Sequence, residues 1–478
     1  MSRFLIWFTR KICVSFSGKM LYNKINRFLR RVNAETMNKK VSLSLIIIIA
    51  VLLMAGGTYI YSGSAGKNDE SHQSSDTETH PDILTAKEAE EDRNQAIGFI
   101  ESVHPFFVDG SDVTPYESAK DKYIKATQHE MSWKDFQKAT AEYFCFFQDG
   151  HTCIQWEEED YLDISLSYRD GRMYTQEGKG TDRYITAVDG ISTEEILAVI
   201  DKAIPAENEM ARAIHYNNYF NAKNILERAG ADMSKDIFTV KLDDRSEVEC
   251  TYISEEDKKD FEAADSLEDL KNSWSMDGDI FVVHLNICVY DDDLKEIEEE
   301  LRQAVENGCT KVIIDVRDNP GGNSMACEAL INAMGMTVPV YGDITRYSPE
   351  AKQQRDFYVR DSGTSRSEGS ADCIRNPDVS LAVLCNRHTF SSATMLCVFV
   401  RDGKLGTLIG EPSSNMPNCY GDIIFVTLEN SQIQANASHR RFFRPDSGNN
   451  ERMLVPDIET TSAGAYDAAV EFLRTEDK

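Results

Sequence analysis

Three short polar turns of the chain carry residue types that can make and break acyl bonds. Their sequences are Asp149-Gly-His-Thr152, Asp315-Val-Arg-Asp-Asn-Pro-Gly-Gly-Asn323 and Thr389-Phe-Ser-Ser-Ala-Thr394. A serine hydroxyl can attack a carbonyl carbon when an imidazole takes its proton. Consecutive glycines let the backbone approach another group closely, and their N–H groups can stabilise an oxyanion. The three turns therefore contain residue types that nucleophilic acyl transfer requires.

Each turn by itself has a simpler interpretation. A serine that opens a helix is by default an N-cap, and this reading applies to Ser391. The doubled glycine, Gly321 and Gly322, can be no more than a tight turn. A lone histidine in a turn, such as His151, is usually structural. Only the combination favours chemistry.

The elements around these turns alternate between strand and helix. Lys311–Val316 and Ser380–Cys385 are apolar runs typical of buried strands, and the helices Met325–Met334 and Ser391–Val400 follow them. A further helix over Trp133–Phe147 leads into the histidine turn. Parallel strands joined by crossover helices are the expected arrangement, because strand–helix alternation builds such sheets.

The order of the motifs resembles the serine peptidase family of tail-specific (C-terminal processing) proteases and the tricorn core protease. The resemblance extends over about residues 90–460, is densest over 311–421, and includes Ile409-Gly-Glu-Pro412 as a fourth motif. It implies an α/β fold with a Clp/crotonase-like spiral of ββα units. It also implies a peptide or protein substrate and requires neither a cofactor nor a metal.

The resemblance assigns roles to individual residues. Ser391 matches the nucleophile, and Ser392 lends its backbone N–H to the oxyanion hole. Gly321 and Gly322 match the turn that completes this hole. In the tricorn-like branch the base is a histidine from the earlier turn, which His151 matches.

Two positions depart from the family pattern. The tail-specific branch uses a lysine base where this chain has Met416, and a thioether cannot accept the serine proton. In the tricorn-like branch a serine precedes the histidine and contacts a glutamate near the C-terminal end. Here Gly150 stands at the serine position, and Glu451 is the candidate for the glutamate. His388, three residues before Ser391, is a rival base.

The N-terminal region predicts a membrane anchor. Residues 1–40 contain ten basic side chains and one acid, and Val41–Gly66 contains no charged residue. About 20 apolar residues span a bilayer core, and the flanking positive charge favours a cytoplasmic N-terminus. A cleaved signal peptide is the alternative, because small residues follow the apolar run. In both cases we expect the bulk of the chain outside the cytoplasm, with the anchored form giving a single-pass cell-membrane protein.

The composition argues against a nucleic-acid partner. The formal net charge is −29, whereas phosphate binding needs a basic surface.

No Cys-x-x-Cys is present, so zinc and thioredoxin-type redox chemistry are not expected. We expect mostly free thiols, with Cys145 and Cys153 the pair most worth checking for a disulfide.

The chain divides into six predicted segments. They are a basic cytoplasmic tail at 1–40, a transmembrane anchor at 41–62, a polar linker at 63–83, an N-terminal helical region at 84–154, a mixed α/β insert at 155–275 and the catalytic core at 276–478. A peptide-binding PDZ domain is not evident in the insert, which resembles the degenerate insert of PDZ-less relatives.

The sequence thus predicts a membrane-anchored, exported serine endopeptidase. One rival is a catalytically inactive relative that binds peptides at the cell surface, motivated by Met416 and Gly150. The other is an acyl-CoA enzyme of the crotonase group, which would need a basic pocket for the CoA phosphates. The strongly acidic composition disfavours this second rival.

Overall fold

The computed structural model describes residues 80–156, 160–175, 183–254, 270–355 and 357–475. The predicted cytoplasmic tail, the anchor at 41–62 and most of the linker lie outside this range, so the anchor stays a prediction. Within the described ranges, no helix combines the length and apolar character needed to cross a bilayer.

The described residues form eleven α-helices and twenty-one strands. The helices are α1 (Ala86–Val103), α2 (Thr114–Ala126), α3 (Trp133–Cys145), α4 (Thr193–Ala203), α5 (Glu209–Tyr219), α6 (Lys223–Ala229), α7 (Asp292–Glu306), α8 (Met325–Ala333), α9 (Pro349–Gln354), α10 (Ser392–Gly403) and α11 (Ala465–Thr475). Two 3-10 turns lie at Pro105–Phe107 and Ser462–Gly464.

The strands of the first half are β1 (Ile83–Leu84), β2 (Met131–Ser132), β3 (Cys153–Ile154), β4 (Tyr161–Leu162), β5 (Ser167–Arg169), β6 (Arg172–Thr175), β7 (Arg183–Val188), β8 (Ile191–Ser192), β9 (Phe238–Leu242), β10 (Glu247–Cys250) and β11 (Tyr252–Ile253). Those of the second half are β12 (Ser273–Asp277), β13 (Ile280–His284), β14 (Lys311–Asp315), β15 (Gly342–Arg346), β16 (Thr364–Ser367), β17 (Ser380–Cys385), β18 (Thr407–Gly410), β19 (Cys419–Thr427), β20 (Gln434–Phe443) and β21 (Ile458–Glu459).

The central sheet has the strand order β12-β13-β14-β17-β18-β21. Only β12 is antiparallel to its neighbour. A parallel sheet is covered on both faces, and this is why β14 is apolar on both sides. Val312 and Ile314 enter the core under α7, α8 and α10, whereas Ile313 enters the core under α11. The carboxyl ends of β14 and β17 therefore meet at one edge of the sheet.

A second sheet has the order β16-β15-β20-β19, and its long strands β19 and β20 pair in antiparallel fashion. Strand β3 joins it through Ile154, which pairs with Ala435 of β20. The helices α1, α2 and α3 share a core with this sheet. The pairing of β3 anchors the chain immediately after His151.

The middle segment, residues 160–254, has its own sheet and its own core. Its strand order is β10-β9-β7-β6-β5, with β8 beside β7, and α4, α5 and α6 pack on it. The five-residue connection between α4 and α5, residues 204–208, is buried throughout.

The predicted strand–helix alternation after residue 279 is confirmed, with boundaries that move by a few residues. The predicted strand Ile433–Ala437 is longer and runs to Phe443, and the helix predicted from Ser391 begins at Ser392. The ten cysteines of the described part are free thiols, including Cys145 and Cys153. The chain has the mixed α/β architecture, whereas the spiral of ββα units stays a prediction.

Candidate active site

Ser391 lies in the turn that connects β17 to α10. Its φ and ψ are +52° and −123°, a backbone conformation that L-residues with a side chain rarely adopt. Such strain persists only where neighbours hold the backbone, and it concentrates at functional sites. Here the Ser391 N–H donates to Asn415 Oδ1 at 3.0 Å, and the Phe390 N–H donates to the Asn319 carbonyl at 3.0 Å.

The doubled glycine lies directly against this turn. A Cβ on Gly321 would stand 2.5 Å from the Ser391 Cβ, and one on Gly322 would stand 2.3 Å from the Cys288 carbonyl oxygen. Both glycines also have positive φ, +99° and +132°. Two backbone bonds fix the bend, from Cys288 N–H to the Gly321 carbonyl and from Asn323 N–H to the Cys288 carbonyl. Only glycine fits at these two positions.

The N–H groups of this region differ in their availability. The Gly321 N–H donates to Asn319 Oδ1 at 2.8 Å and is therefore already paired. Among the described residues, the N–H groups of Gly322 and Ser392 have no acceptor. The Ser392 hydroxyl donates to the Gly322 carbonyl at 2.8 Å and ties these two residues together. The bend therefore offers an anion the N–H of Gly322 rather than that of Gly321.

His151 reaches Ser391 from the turn that follows α3. Its Nε2 lies 3.1 Å from Ser391 Oγ, although 240 positions separate the two residues in the chain. Asn436 of β20 donates to the His151 carbonyl at 2.7 Å, and the Phe390 ring packs against the imidazole with 4.8 Å between ring centroids. The sheet that contains β20 thus holds the histidine turn against the serine turn.

Two carboxylates face the other ring nitrogen of His151. Its Nδ1 is buried without a hydrogen-bond partner among the described residues, and it lies 3.6 Å from Asp149 Oδ1 and 3.9 Å from Glu207 Oε1. If Nε2 accepts the serine proton, Nδ1 must carry the ring hydrogen, which then points to these acids. Burial lowers the pKa of His151, but Asp149 and Glu207 outweigh it, so the net shift is upward.

Asp149 is fully buried in a network of hydroxyl groups. It accepts from Thr152 Oγ1 at 2.5 Å and from Ser438 Oγ at 2.7 Å, and His104 Nε2 lies 3.4 Å away. Burial raises the pKa of Asp149, but the interactions with the nearby His104 and His151 rings dominate and hold this pKa well below its usual value. Asp149 is therefore ionised at neutral pH.

Glu207 comes from the connection between α4 and α5 in the middle segment. Its Oε1 accepts from Gly150 N–H at 3.2 Å, while its Oε2 accepts from Asn415 Nδ2 and from Met416 N–H, both at 2.7 Å. Burial raises the pKa of Glu207 to about 7, against the opposing charge of His151. The sequence analysis assigned no chemistry to this segment, because a single glutamate beside Ile204-Pro-Ala carries no recognisable spacing.

Glu451 is not brought to the histidine. Its carboxylate contacts Arg444 Nη1 at 3.4 Å and Asn449 Nδ2 at 3.1 Å, and its side chain is half exposed. The prediction that placed a C-terminal glutamate in the site therefore does not match the contacts. Glu207 stands beside His151 instead.

The two departures from the family pattern have a physical basis in these contacts. A Cβ on Gly150 would stand 3.0 Å from the Phe390 ring and 3.2 Å from Glu207 Oε1, so Glu207 leaves little room for a side chain there. Met416 contributes its backbone N–H to Glu207 rather than its side chain. Gly150 and Met416, which lack the family's polar side chains, thus both donate a backbone N–H to Glu207.

The cluster of Asp149, His151 and Glu207 also has the spacing of metal ligands. One ligand atom from each residue lies within 4.8 Å of the other two. However, the Gly150 N–H donates to Glu207 Oε1 and the His151 N–H donates to Asp149 Oδ1. These internal bonds account for the placement of both carboxylates without a cation.

Comparisons with known proteins bear on the class of protein and on the fold. The chain carries a serine-type peptidase domain. Residues 279–460 match the model of peptidase family S41. The matched segment contains Ser391, Ser392 and both glycines of the bend, whereas His151 and Glu207 lie outside it. Among curated proteins, no sequence matches the chain.

Solved structures of CPAF show a similar fold at low sequence identity. Mature CPAF complexed with lactacystin superposes with a TM-score of 0.52 at 14% identity, covering 81% of this chain and 98% of that chain. The S499A mutant of CPAF gives a TM-score of 0.53 at 13% identity, covering 81% and 96%. The photosystem II D1 C-terminal processing protease gives a TM-score of 0.41 at 11% identity, covering 81% and 97%.

Proposed function

We propose that the chain is a serine endopeptidase in which Ser391 is the nucleophile and His151 is the general base. The observation that carries the proposal is the 3.1 Å distance between His151 Nε2 and Ser391 Oγ. This distance lies within the range over which a base abstracts a proton. The raised pKa of His151 suits a group that first accepts this proton and then returns it.

The proposed reaction proceeds through an acyl-enzyme. The Ser391 oxygen bonds to the peptide carbonyl carbon while its proton moves to His151 Nε2. The oxyanion that forms is stabilised by the N–H groups of Gly322 and Ser392, and loss of one such donor typically costs about 2.7–4 kcal/mol in the barrier. His151 then gives the proton to the leaving amine, and water hydrolyses the acyl-enzyme in the same manner.

In this proposal Gly321 has a steric function. Its own N–H is paired with Asn319 Oδ1, and the missing side chain lets the bend contact Ser391.

We further propose, from the sequence alone, that a single-pass anchor at 41–62 holds this peptidase at the outer side of the cell membrane.

The test compares serine labelling and peptide cleavage in matched variants. A fluorophosphonate should modify Ser391, and Ser391→Ala should remove both labelling and cleavage while the thermal unfolding midpoint stays unchanged. His151→Ala should depress cleavage by about 100-fold or more. His388→Ala is the matched control for the rival base and should keep near-normal cleavage.

The opposite results are equally clear. Unlabelled wild-type protein would favour the inactive peptide-binding relative. Loss of activity in His388→Ala with retention in His151→Ala would transfer the role of the base to His388.

A further inference from the structure

Glu207 lies at a point where the middle segment touches the candidate active site. It precedes α5 by two residues, and only 4% of its surface is exposed. Burying a carboxyl group is costly unless hydrogen bonds compensate. A contact maintained at this cost needs an explanation beyond packing.

The hydrogen bonds of Glu207 join both sides of the site. Asn415 donates its Nδ2 to Glu207 Oε2, and its Oδ1 accepts from the Ser391 N–H. The other carboxylate oxygen, Oε1, accepts from Gly150 N–H and faces His151 Nδ1 at 3.9 Å. One carboxyl group therefore contacts the histidine turn and, through Asn415, the serine turn.

Hydrogen bonds from side chains to backbone carbonyl groups hold the connection 204–208 in this place. Arg452 Nη2 donates to the Glu207 carbonyl at 2.8 Å, and Asn208 Nδ2 donates to the Ser413 carbonyl at 3.2 Å. Both partners lie after α10, outside the middle segment. Withdrawal of the segment by a few ångströms would break these bonds and remove Glu207 from His151.

We propose that Glu207 is a positioning residue for His151, which it holds with Nε2 toward Ser391 only while the middle segment is seated on residues 413–416. The inference rests on the proposed function and deepens it by giving the segment a part in assembling the base. Asp149 fixes the histidine turn from within, whereas Glu207 couples this turn to a different part of the fold.

The charges around Glu207 and His151 determine in which direction the pKa of His151 should change when Glu207 is replaced. The acidic groups that interact with His151 are Asp149 from its own turn, Glu207 from the middle segment and Asp422 from β19. The charge of Glu207 also raises the pKa of Cys419 in β19. The negative charge of Glu207 raises the pKa of His151. Replacing Glu207 by glutamine should therefore lower this pKa.

The first experiment measures the imidazole directly. In the full chain with Ser391→Ala, a nitrogen-15 NMR titration follows the imidazole signal of His151 as the pH changes. This signal is assigned by its disappearance in the His151→Gln variant. Glu207→Gln should lower the pKa of His151. Glu209→Gln, two residues further along the same segment and exposed, should leave it unchanged. An unaltered pKa in Glu207→Gln would overturn the proposal, whether or not the protein cleaves peptides.

The second experiment measures turnover. Glu207→Gln should reduce kcat by about 100-fold, leave KM within about twofold, and move the acid limb of the kcat/KM profile to lower pH. Circular dichroism and the unfolding midpoint check the fold, and Gly150→Ala tests the same contact from the opposite side by crowding Glu207.

A normal kcat and pH profile in Glu207→Gln, together with an inactive Ser391→Ala, would refute the positioning role while leaving the peptidase intact. Absence of serine labelling in the wild type would instead refute the proposed function, and the NMR titration would still decide the role of Glu207.

Discussion

The two sides of the candidate active site are built in different ways. On the serine side, backbone geometry sets the positions. Ser391 has a positive φ, and Gly321 lies so close to it that a Cβ on Gly321 would stand 2.5 Å from the Ser391 Cβ. On the histidine side, side-chain contacts set the positions, since Asp149 and Glu207 flank the imidazole from separate regions of the chain. Asn415 contacts both Ser391 on the serine side and Glu207 on the histidine side.

This difference determines which changes each side should tolerate. A backbone bend fails when one atom is added to it, because two main chains cannot move apart without breaking their bonds. A buried network of polar side chains fails when one charge is removed, since the partners are left unsatisfied. The following predictions separate these two modes of failure, beginning with the largest expected effect.

Adding a methyl group to the glycine bend should abolish activity. Gly321→Ala places a Cβ 2.5 Å from the Ser391 Cβ and should reduce kcat/KM by more than about 100-fold. Gly308→Ala is the matched control, because Gly308 also has a φ near +97° but has open space around it. Both variants carry backbone strain of about 1–3 kcal/mol, so only the close approach distinguishes them. Equal activities would refute the steric role of the bend.

Removing the charge of Asp149 should destabilise the fold as well as the reaction. Asp149→Asn should lower the free energy of unfolding at pH 7 by about 3 kcal/mol or more, because breaking a buried charged network leaves partners unpaired. The measurement is urea unfolding, with the exposed Asp378→Asn as the control.

The same aspartate predicts a pH dependence. Its pKa is lower in the folded protein than in the unfolded chain, so its stabilising contribution is present above about pH 4 and is lost as the pH falls further. Asp149→Asn should therefore flatten the loss of stability between about pH 4 and pH 2. A variant that unfolds in acid as steeply as the wild type would contradict this assignment.

Cutting the link between the two sides should have an intermediate effect. Asn415→Ala removes the acceptor of the Ser391 N–H and one donor to Glu207, and it should reduce kcat by about 10-fold with little change in KM. The exposed Asn450→Ala serves as the control. A larger effect on KM than on kcat would show that Asn415 contacts substrate instead.

The smallest effect is expected at the position where the tail-specific branch has its lysine. Met416 offers Glu207 only its backbone N–H, so Met416→Leu should leave kcat/KM within about twofold. A strong loss of activity here would mean that the thioether side chain itself takes part in the site.

The sequence allowed the two turns of the serine side to be placed together for a physical reason. Buried parallel strands such as Lys311–Asp315 are continuous apolar runs, and the turn at the end of each run is short, so Gly321 and Ser391 could be placed at one edge of a sheet. Which glycine N–H remains unpaired could not be predicted, because the Asn319 side chain that takes the Gly321 N–H is two residues away and shows no distinctive pattern.

The histidine side was predicted only in part. His151 was recognisable from its motif, yet the acid beside it was sought at Glu451 and lies at Glu207. The position of Glu207 depends on how the middle segment docks, and docking of one folded unit on another leaves no periodic trace in either sequence. The local sign in the sequence is the missing side chain at Gly150, where Glu207 leaves little room for a Cβ.

The pairing of β3 with β20 has a practical consequence. The segment that matches the peptidase family contains Ser391, the proposed nucleophile, whereas His151, the proposed base, lies well before that segment in the turn that leads into β3. Expressed without the preceding residues, this segment would lack the proposed base and should not cleave peptides.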